Sequence, residues 1–379
     1  MSIYLDNSAT SFPKPEAVYR AVDHAFRNYG ANPGRGGHRM SVESARMVFD
    51  AREALADFFA VDDSARIILT SGATESINLA LFGLLGSGDR VVTTTMEHNS
   101  VLRPLHALQD RGVVVEKVSA DPSGTIAAAD IIAACRKPTR LVVMTHCSNV
   151  TGSVQPVEQV AAYCRDNDIL LLVDAAQSAG LLPISLRESG IDLLATAGHK
   201  GLMGPPGVGV LYVKPGLQLE PLIYGGTGTL SQSGAQPAEM PERFESGTLN
   251  TPGIAGLLAG VQYLNEIGLA SVREHEQSLL QLLLDGLGSL DDVAIYGSSD
   301  VANHGGAVSF NCKNFDPAEI GFRLDNEYDI MVRVGLHCAP DAHRTIGSFP
   351  RGTVRVSPGY YNSTDDIEKL VDALGQITR

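Results

Sequence analysis

Two residues in the stretch 169–209 have the chemistry and the setting to hold an aldehyde cofactor, one of them by a covalent bond. Asp174 ends a continuous apolar run, Ile169-Leu170-Leu171-Leu172-Val173, the pattern of a parallel strand covered on both faces. Lys200 stands in Thr196-Ala197-Gly198-His199-Lys200-Gly201, directly after a second short apolar run, Leu193-Leu194-Ala195. Ligands of open parallel sheets bind at the C-terminal ends of the strands, so both residues arrive at the edge where chemistry is done. A lysine there can condense with an aldehyde, and pyridoxal phosphate needs that Schiff base together with an acid opposite its pyridine nitrogen. Taken singly, Asp174 reads equally well as a helix N-cap and Lys200 as a solvated loop residue. The other strand ends bear on the choice.

Ile67-Ile68-Leu69 is a strand, and Ser71-Gly72-Ala73-Thr74-Glu75-Ser76-Ile77-Asn78 turns straight into a helix. The first backbone amides of that helix and the Thr74 hydroxyl form an anion site suited to a phosphate, although an ordinary N-cap explains the same residues. The strand over 90–95 ends in Met96-Glu97-His98-Asn99, where the His98 imidazole either stacks on a flat ring or is a capped structural residue. The strand over 141–145 ends in His146-Cys147-Ser148-Asn149-Val150-Thr151-Gly152. Asn32-Pro33-Gly34-Arg35-Gly36-Gly37-His38 is a loop whose Arg35 and His38 either line a site or sit in solvent.

The elements that must position these residues alternate. Strands over 67–69, 90–95, 113–118, 141–145, 169–173 and 207–213, with helices over 41–59 and 157–167, predict an α/β fold: a doubly wound, mostly parallel sheet with helices on both faces. A helix begins near Pro15, after the polar turn Tyr4-Leu5-Asp6-Asn7-Ser8-Ala9-Thr10. Beyond Lys214 a long, small and polar segment runs to Pro241 and reads as a loop. Helices over 254–267, 272–287, 317–327 and 364–376 and strands over 306–312, 329–333 and 353–357 then form a smaller α+β domain. The expected division is a large domain over 16–245 and a small domain built from 1–15 with 246–379.

A chain of 379 residues can bury a large core, and 44% hydrophobic residues is ordinary for a globular protein. The formal net charge of -14 argues against nucleic acid or an anionic membrane as partner. No apolar run approaches a membrane span, and Met1-Ser2-Ile3-Tyr4-Leu5-Asp6 is no signal peptide, so a cytoplasmic location is expected. Cys135, Cys147, Cys164, Cys312 and Cys338 are an odd set without metal-type spacing, which reads as reduced thiols and no metal site.

Several motifs carry a wider resemblance: Tyr4-Leu5-Asp6-Asn7-Ser8-Ala9-Thr10, Ala73-Thr74-Glu75-Ser76-Ile77-Asn78, Met96-Glu97-His98, Ser148-Asn149-Val150-Thr151-Gly152, Val173-Asp174-Ala175-Ala176-Gln177, Gly198-His199-Lys200, Ser246-Gly247-Thr248-Leu249-Asn250-Thr251 and Arg333-Val334-Gly335-Leu336-His337-Cys338-Ala339. Together, in this order over nearly the whole chain, they resemble a class V aminotransferase-fold protein, and more narrowly the cysteine desulfurase and selenocysteine lyase group. The resemblance implies pyridoxal 5'-phosphate held by a fold type I large domain, an amino-acid substrate, a homodimer with the site at its interface, and a sulfur-acceptor protein as partner. It implies that Lys200 carries the Schiff base, Asp174 holds the pyridinium proton, and His98 stacks on the ring. Gln177 and Asn149 would bond the phenolic-oxygen side. Thr74 and His199, with Ala73 beside them, would take the phosphate, together with Thr248 of the partner subunit. Arg333 would grip the substrate carboxylate. Arg355, Asn7, Arg35 and His38 are further candidates for the substrate side, and Cys338 is the expected nucleophile toward the substrate's sulfur.

The chain departs from that pattern at Ala73, where threonine is frequent, at Asn99, where a second histidine is common, and at Ala197, where a phosphate-binding serine is usual. These departures imply a lighter phosphate grip, or a water in place of a hydroxyl. The expected reaction is conversion of L-cysteine to L-alanine with a persulfide left on Cys338. A selenocysteine lyase, or another β-lyase or aminotransferase of this fold, would need Lys200 and Asp174 but not Cys338. A non-enzymatic sulfur carrier or scaffold would need Cys338 but not Lys200. Reactive thiols require an electropositive, accessible setting, and Arg333 and His337 are expected to provide one for Cys338.

Overall fold

The computed structural model describes residues 2–378 except Arg35, Lys137 and Ser231. The chain opens with β1 (Ile3–Tyr4), α1 (Glu16–Asn28) and α2 (Arg39–Phe58). Strands and helices then alternate: β2 (Ile67–Thr70), α3 (Ala73–Leu84), β3 (Arg90–Thr94), α4 (Asn99–Gln109), β4 (Val114–Val118), α5 (Ala128–Ala134), β5 (Thr139–Thr145), α6 (Val157–Asp166), β6 (Leu170–Asp174), β7 (Leu193–Ala197) and β8 (Gly209–Val213). Among the described residues these strands form a seven-stranded sheet in the order β2-β8-β7-β6-β5-β3-β4, with β8 alone antiparallel to its neighbours. The burial matches this central placement. Every residue of β7 and β8 is buried, as a strand covered on both faces must be, and one apolar cluster lies on each face of the sheet.

A second unit follows, with α7 (Thr251–Ile267), α8 (Leu269–Gly288), β9 (Val293–Tyr296), β10 (Val308–Cys312), α9 (Pro317–Tyr328), β11 (Ile330–Met331), β12 (Arg333–Gly335), α10 (Pro340–Thr345), β13 (Thr353–Val356) and α11 (Thr364–Ile377). Strands β12-β13-β10-β9 form an antiparallel sheet, and residues of α8, α9 and α11 supply its core. The N-terminal segment belongs with this unit: β1 pairs in parallel with β11, and Ile3 and Leu5 are buried in the same core. Helix α7 does not. It packs against α1 and α2, and its Ile254, Leu257, Val261 and Leu264 join the core of the large sheet.

The other differences from the sequence reading have physical causes. Tyr4, expected in a turn, is strand together with Ile3, and their partners, Ile330 and Met331, lie far along the chain where no local pattern can announce them. Helix α4 was hidden by Pro104 in its interior. The single strand expected over 329–333 is two short ones, β11 and β12, after Asp329 takes a left-handed conformation at the end of α9. Strands β2, β3, β5, β6 and β7 all end at one edge of the large sheet. There the start of α3 passes so close to β8 that a Cβ on Gly209 would lie 2.4 Å from Gly72 backbone atoms. No helix of the described residues is long and apolar enough to cross a membrane.

A buried ion pair fixes β2 against α2. Arg52 donates to Glu245 through Nη1 at 2.8 Å and Nη2 at 2.9 Å, and the Leu69 amide donates to the same carboxylate at 2.7 Å. Both side chains are under 10% exposed, 7% and 6%. Glu245→Ala leaves a guanidinium buried and unpaired, so urea unfolding is expected to show a loss of about 3–5 kcal/mol. A loss below about 1 kcal/mol, as for a surface pair, would contradict this account of the fold.

Candidate active site

The ends of these strands enclose a cavity of about 370 Å³. Its wall includes Ala73, Thr74, His98, Asn149, Asp174, Gln177, His199, Lys200, Arg333, Cys338 and Arg355. The fold therefore brings together, from both units, most of the residues singled out in the sequence. Asp174 is the last residue of β6 and lies opposite Ala195 of β7, which runs on to Ala197 and the turn that holds Lys200. The Asp174 carboxylate is 5% exposed, and its Oδ1 accepts the Ala176 amide at 2.9 Å. Burial pushes its pKa above the usual carboxylate range, with Lys200 and the Ala176 amide opposing. Burial also lowers the Lys200 ammonium, to about 8, with Asp174 opposing.

His98 is the N-cap of α4, so the capping role and the cavity position coincide in one residue. The Ser100 amide donates to His98 Nδ1 at 3.0 Å, which puts any ring proton of the neutral imidazole on Nε2. Burial, assisted by Lys200, lowers its pKa to about 4, so the ring is neutral at physiological pH. The Ser100 hydroxyl lies 2.8 Å from Thr74 Oγ1 and ties the start of α3 to the start of α4. Helix α3 begins at Gly72 with no side chain capping its amides, and Ser71, Gly72, Ala73 and Thr74 face the cavity. His199 Nδ1 is buried without a partner, and burial lowers that ring to about 4.

These features fit pyridoxal phosphate on chemical grounds. The uncapped amides of α3 suit a phosphate, the orphaned His199 nitrogen needs a polar partner, and a desolvated lysine and carboxyl sit beside them. Among the described residues no group of three or more His, Cys, Asp or Glu side chains could hold a metal ion.

On the far side, Arg355 is 1% exposed and reaches two distant parts of the chain. Nη2 donates to Asp6 Oδ1 at 2.6 Å and Nη1 to Asn149 O at 3.0 Å, while Nε has no partner. Asn149 Nδ2 in turn donates to His337 O at 2.7 Å. Gln177 Nε2 donates to Ser8 O at 2.9 Å. Of the cysteines, all of them described, Cys338 is the exposed one, and Arg333 Nη2 lies 3.6 Å from its sulfur. Cys147 also lines the cavity, but its thiol donates to Gly152 O at 3.3 Å and burial pushes it up to about 12.

Three expectations meet a different placement. His337 adds no positive charge beside Cys338: its ring turns inward, and burial lowers it to about 2. Asn7 lies in an adjoining pocket, where its amide donates to Ser357 O at 3.0 Å and Asn362 Oδ1 at 3.1 Å. His38 is exposed and caps α2, accepting from the Ser41 amide at 3.4 Å, away from the cavity wall. Thr248, expected to serve the partner subunit, lies outside the cavity of its own chain as that role requires, with Asn32 Nδ2 at 3.3 Å from its hydroxyl. Arg35 falls outside the described residues. The sequence reading missed Ser100 and Ser8 in the wall, though a serine two residues after His98 is the pattern of a local cap.

The lowered Lys200 pKa has a signed consequence for the cofactor-free protein. Between about pH 8 and 10.5 the unfolded chain holds a proton that the folded chain has lost, so this group's contribution to stability rises with pH across that window. Lys200→Met is therefore expected to stabilise the cofactor-free protein at neutral pH by on the order of 3 kcal/mol, with the difference closing by about pH 10.5. Urea titrations of both proteins across this range measure it. A difference that is absent at neutral pH, or grows on raising the pH, contradicts the desolvation of Lys200.

The chain resembles known proteins over nearly its whole length. The sequence model of the Aminotransferase class-V family matches residues 3–370. A probable cysteine desulfurase of Methanothermobacter thermautotrophicus is 39% identical over 99% of this chain and 94% of its own length. The apo structure of a cysteine desulfurase from Thermococcus onnurineus NA1 superposes with a TM-score of 0.94 at 36% identity, covering 100% of this chain and 94% of that one. The cysteine desulfurase CsdA from Escherichia coli, in an S-sulfonic acid form, gives 0.89 at 27% identity over 99% and 94%. With a match of this extent and a cavity built as described, the chain belongs to the class-V aminotransferase family.

Proposed function

We propose that this chain is a pyridoxal-phosphate-dependent cysteine desulfurase that converts L-cysteine to L-alanine and retains the sulfur as a persulfide on Cys338. One observation carries the reading: the exposed thiol of Cys338, beside Arg333, shares a cavity with the desolvated pair Asp174 and Lys200. A plain β-lyase has no use for that thiol, and a sulfur carrier has no use for that pair.

When bound, pyridoxal phosphate supplies a Schiff-base link to the amino acid and an electron sink for the charge left at Cα. Asp174, buried at the end of β6, holds a proton at the pyridine nitrogen. His98, neutral and anchored by Ser100, offers a flat face for stacking. Thr74, His199 and the α3 amides hold the phosphate, with Thr248 of the partner subunit completing the site in a homodimer. Helix α2 exposes Met40, Val42 and Phe49, apolar surface of the kind a partner subunit covers. Arg333 takes the substrate carboxylate, with the buried charge of Arg355 behind it. Lys200, lowered to about 8, is poised near neutrality to accept the Cα proton.

The Cys338 thiolate then attacks the substrate sulfur. A sulfur–sulfur bond forms, the Cβ–S bond breaks, and its electron pair passes to carbon, which takes up a proton to become the methyl group of alanine. L-cysteine and the Cys338 thiol thus give alanine and the Cys338 persulfide, with no external oxidant or reductant. The persulfide sulfur passes on to an acceptor thiol.

The test combines two variants and one label. Cys338→Ala is expected to lose alanine and sulfide production from cysteine by at least about a hundredfold while keeping bound cofactor, and Lys200→Ala to lose turnover altogether. Borohydride reduction followed by peptide mapping is expected to tag Lys200. Sulfide release by Cys338→Ala at the parent rate would make the protein a β-lyase, and a tag on another lysine would remove the site assignment.

A further inference from the structure

Cys338 sits in a turn that the chain would not adopt unaided. His337 has φ 46° and Cys338 φ 58°, so two consecutive residues with side chains occupy the left-handed region that favours glycine. The turn closes with the Ala339 amide on Leu336 O at 2.9 Å. Two contacts hold its backbone from outside: Asn149 Nδ2 donates to His337 O, and the Asn99 amide donates to Cys338 O at 2.7 Å. The third restraint is a side chain. His337 is 3% exposed although its neighbour Cys338 is exposed, so the imidazole is driven into the small unit while the thiol faces the cavity.

The direction of each hydrogen bond in that pocket can be worked out. Ser309 Oγ lies 2.7 Å from Val150 O, and a carbonyl only accepts, so the serine proton points there. Thr353 Oγ1 is 3.1 Å from Ser309 Oγ and donates to it. The threonine has no second proton, so toward His337 Nε2, 2.9 Å away, it can only accept. His337 is therefore the Nε2–H tautomer, and its proton heads a directed chain through Thr353 of β13 and Ser309 of β10 to Val150 of the loop that follows β5. That chain ends one residue from Asn149, which grips the His337 carbonyl. The nucleophile turn is thus fastened at both ends of His337 to the same loop of the large unit.

We propose that His337 is a positioning residue for the nucleophile: its Nε2–H bond to Thr353 holds the 336–339 turn in its left-handed form and keeps Cys338 aimed at the cavity. This rests on the reading of Cys338 as the thiol that takes the sulfur. His337 is buried and does not line the cavity, so its removal slows the step that needs Cys338 and spares the steps before it.

The holoenzyme tests this in single turnovers with L-cysteine, following the cofactor absorbance for substrate binding and Cα deprotonation, and the Cys338 peptide mass for sulfur transfer. In His337→Ala the absorbance changes are expected at the parent rate, while persulfide formation slows roughly ten- to hundredfold. His337→Gln, whose amide N–H can reach Thr353, is expected to recover most of that rate. Thr353→Val, which keeps the shape and deletes the acceptor, is expected to slow the same step alone, and it carries the test if His337→Ala does not fold. Persulfide formation at the parent rate in Thr353→Val or His337→Ala overturns the proposal, as does a His337→Gln as slow as His337→Ala. Cys338→Ala run alongside separates the two levels: if that variant still releases sulfide, the nucleophile reading itself has failed, whatever His337 does.

Discussion

A guanidinium taken almost wholly out of water needs partners, and Arg355 draws them from two parts of the chain distant from its own strand. Its own strand, β13, belongs to the small sheet; Asp6 comes from the N-terminal segment; and the Asn149 carbonyl comes from the loop after β5. Breaking any of these contacts would strand buried charge or a buried donor, so the arrangement is nearly all-or-none. Asn149 is held by its carbonyl to Arg355 and uses its amide to hold His337, whose neighbour is Cys338. The thiol's position is therefore set by a chain of contacts that starts at the joint between the two units. The large sheet supplies Asp174, Lys200 and His98, and the small unit supplies Arg333 and Cys338. The Arg355 joint holds these two sets of residues across one cavity.

The electrostatics derive from the same enclosure. Desolvation is the first cause of the shift at Asp174, Lys200, His98 and His199 alike: it holds the carboxyl up and the three bases down. The histidines are neutral in consequence, which leaves Arg333 and Arg355 as permanent cations for an anionic substrate. The thiols divide along the same line. Cys147, Cys164 and Cys312 are buried and raised to about 12, 12 and 11, while Cys338 stands exposed at the guanidinium of Arg333.

Much of this was legible in the sequence because parallel strands buried on both faces are written as unbroken apolar runs, and the first polar residue after each run falls at the binding edge. Asp174 is such a residue, His98 and Lys200 follow within a few positions of their runs, and Asn149 was singled out by the family resemblance of the segment in which it lies. What could not be read are pairings between distant segments. Nothing near Asp6 points to Arg355, and nothing near Ile3 points to Ile330. Helix α7 looked like the start of the small unit because its texture changes after the long loop, whereas its apolar face packs on α1 and α2. His337 was misjudged for a related reason: a histidine beside a reactive cysteine suggests charge, and only the fold shows that the ring is buried against Thr353.

The central claim is that Cys338 receives the substrate's sulfur. Incubating the holoenzyme briefly with one equivalent of L-cysteine, blocking thiols with an alkylating reagent and mapping the peptides by mass spectrometry reads this directly. The account predicts one added sulfur atom on the peptide carrying Cys338, formed in step with alanine. Alanine formed without added sulfur on that peptide, or with the sulfur on the peptide of Cys147, would contradict it.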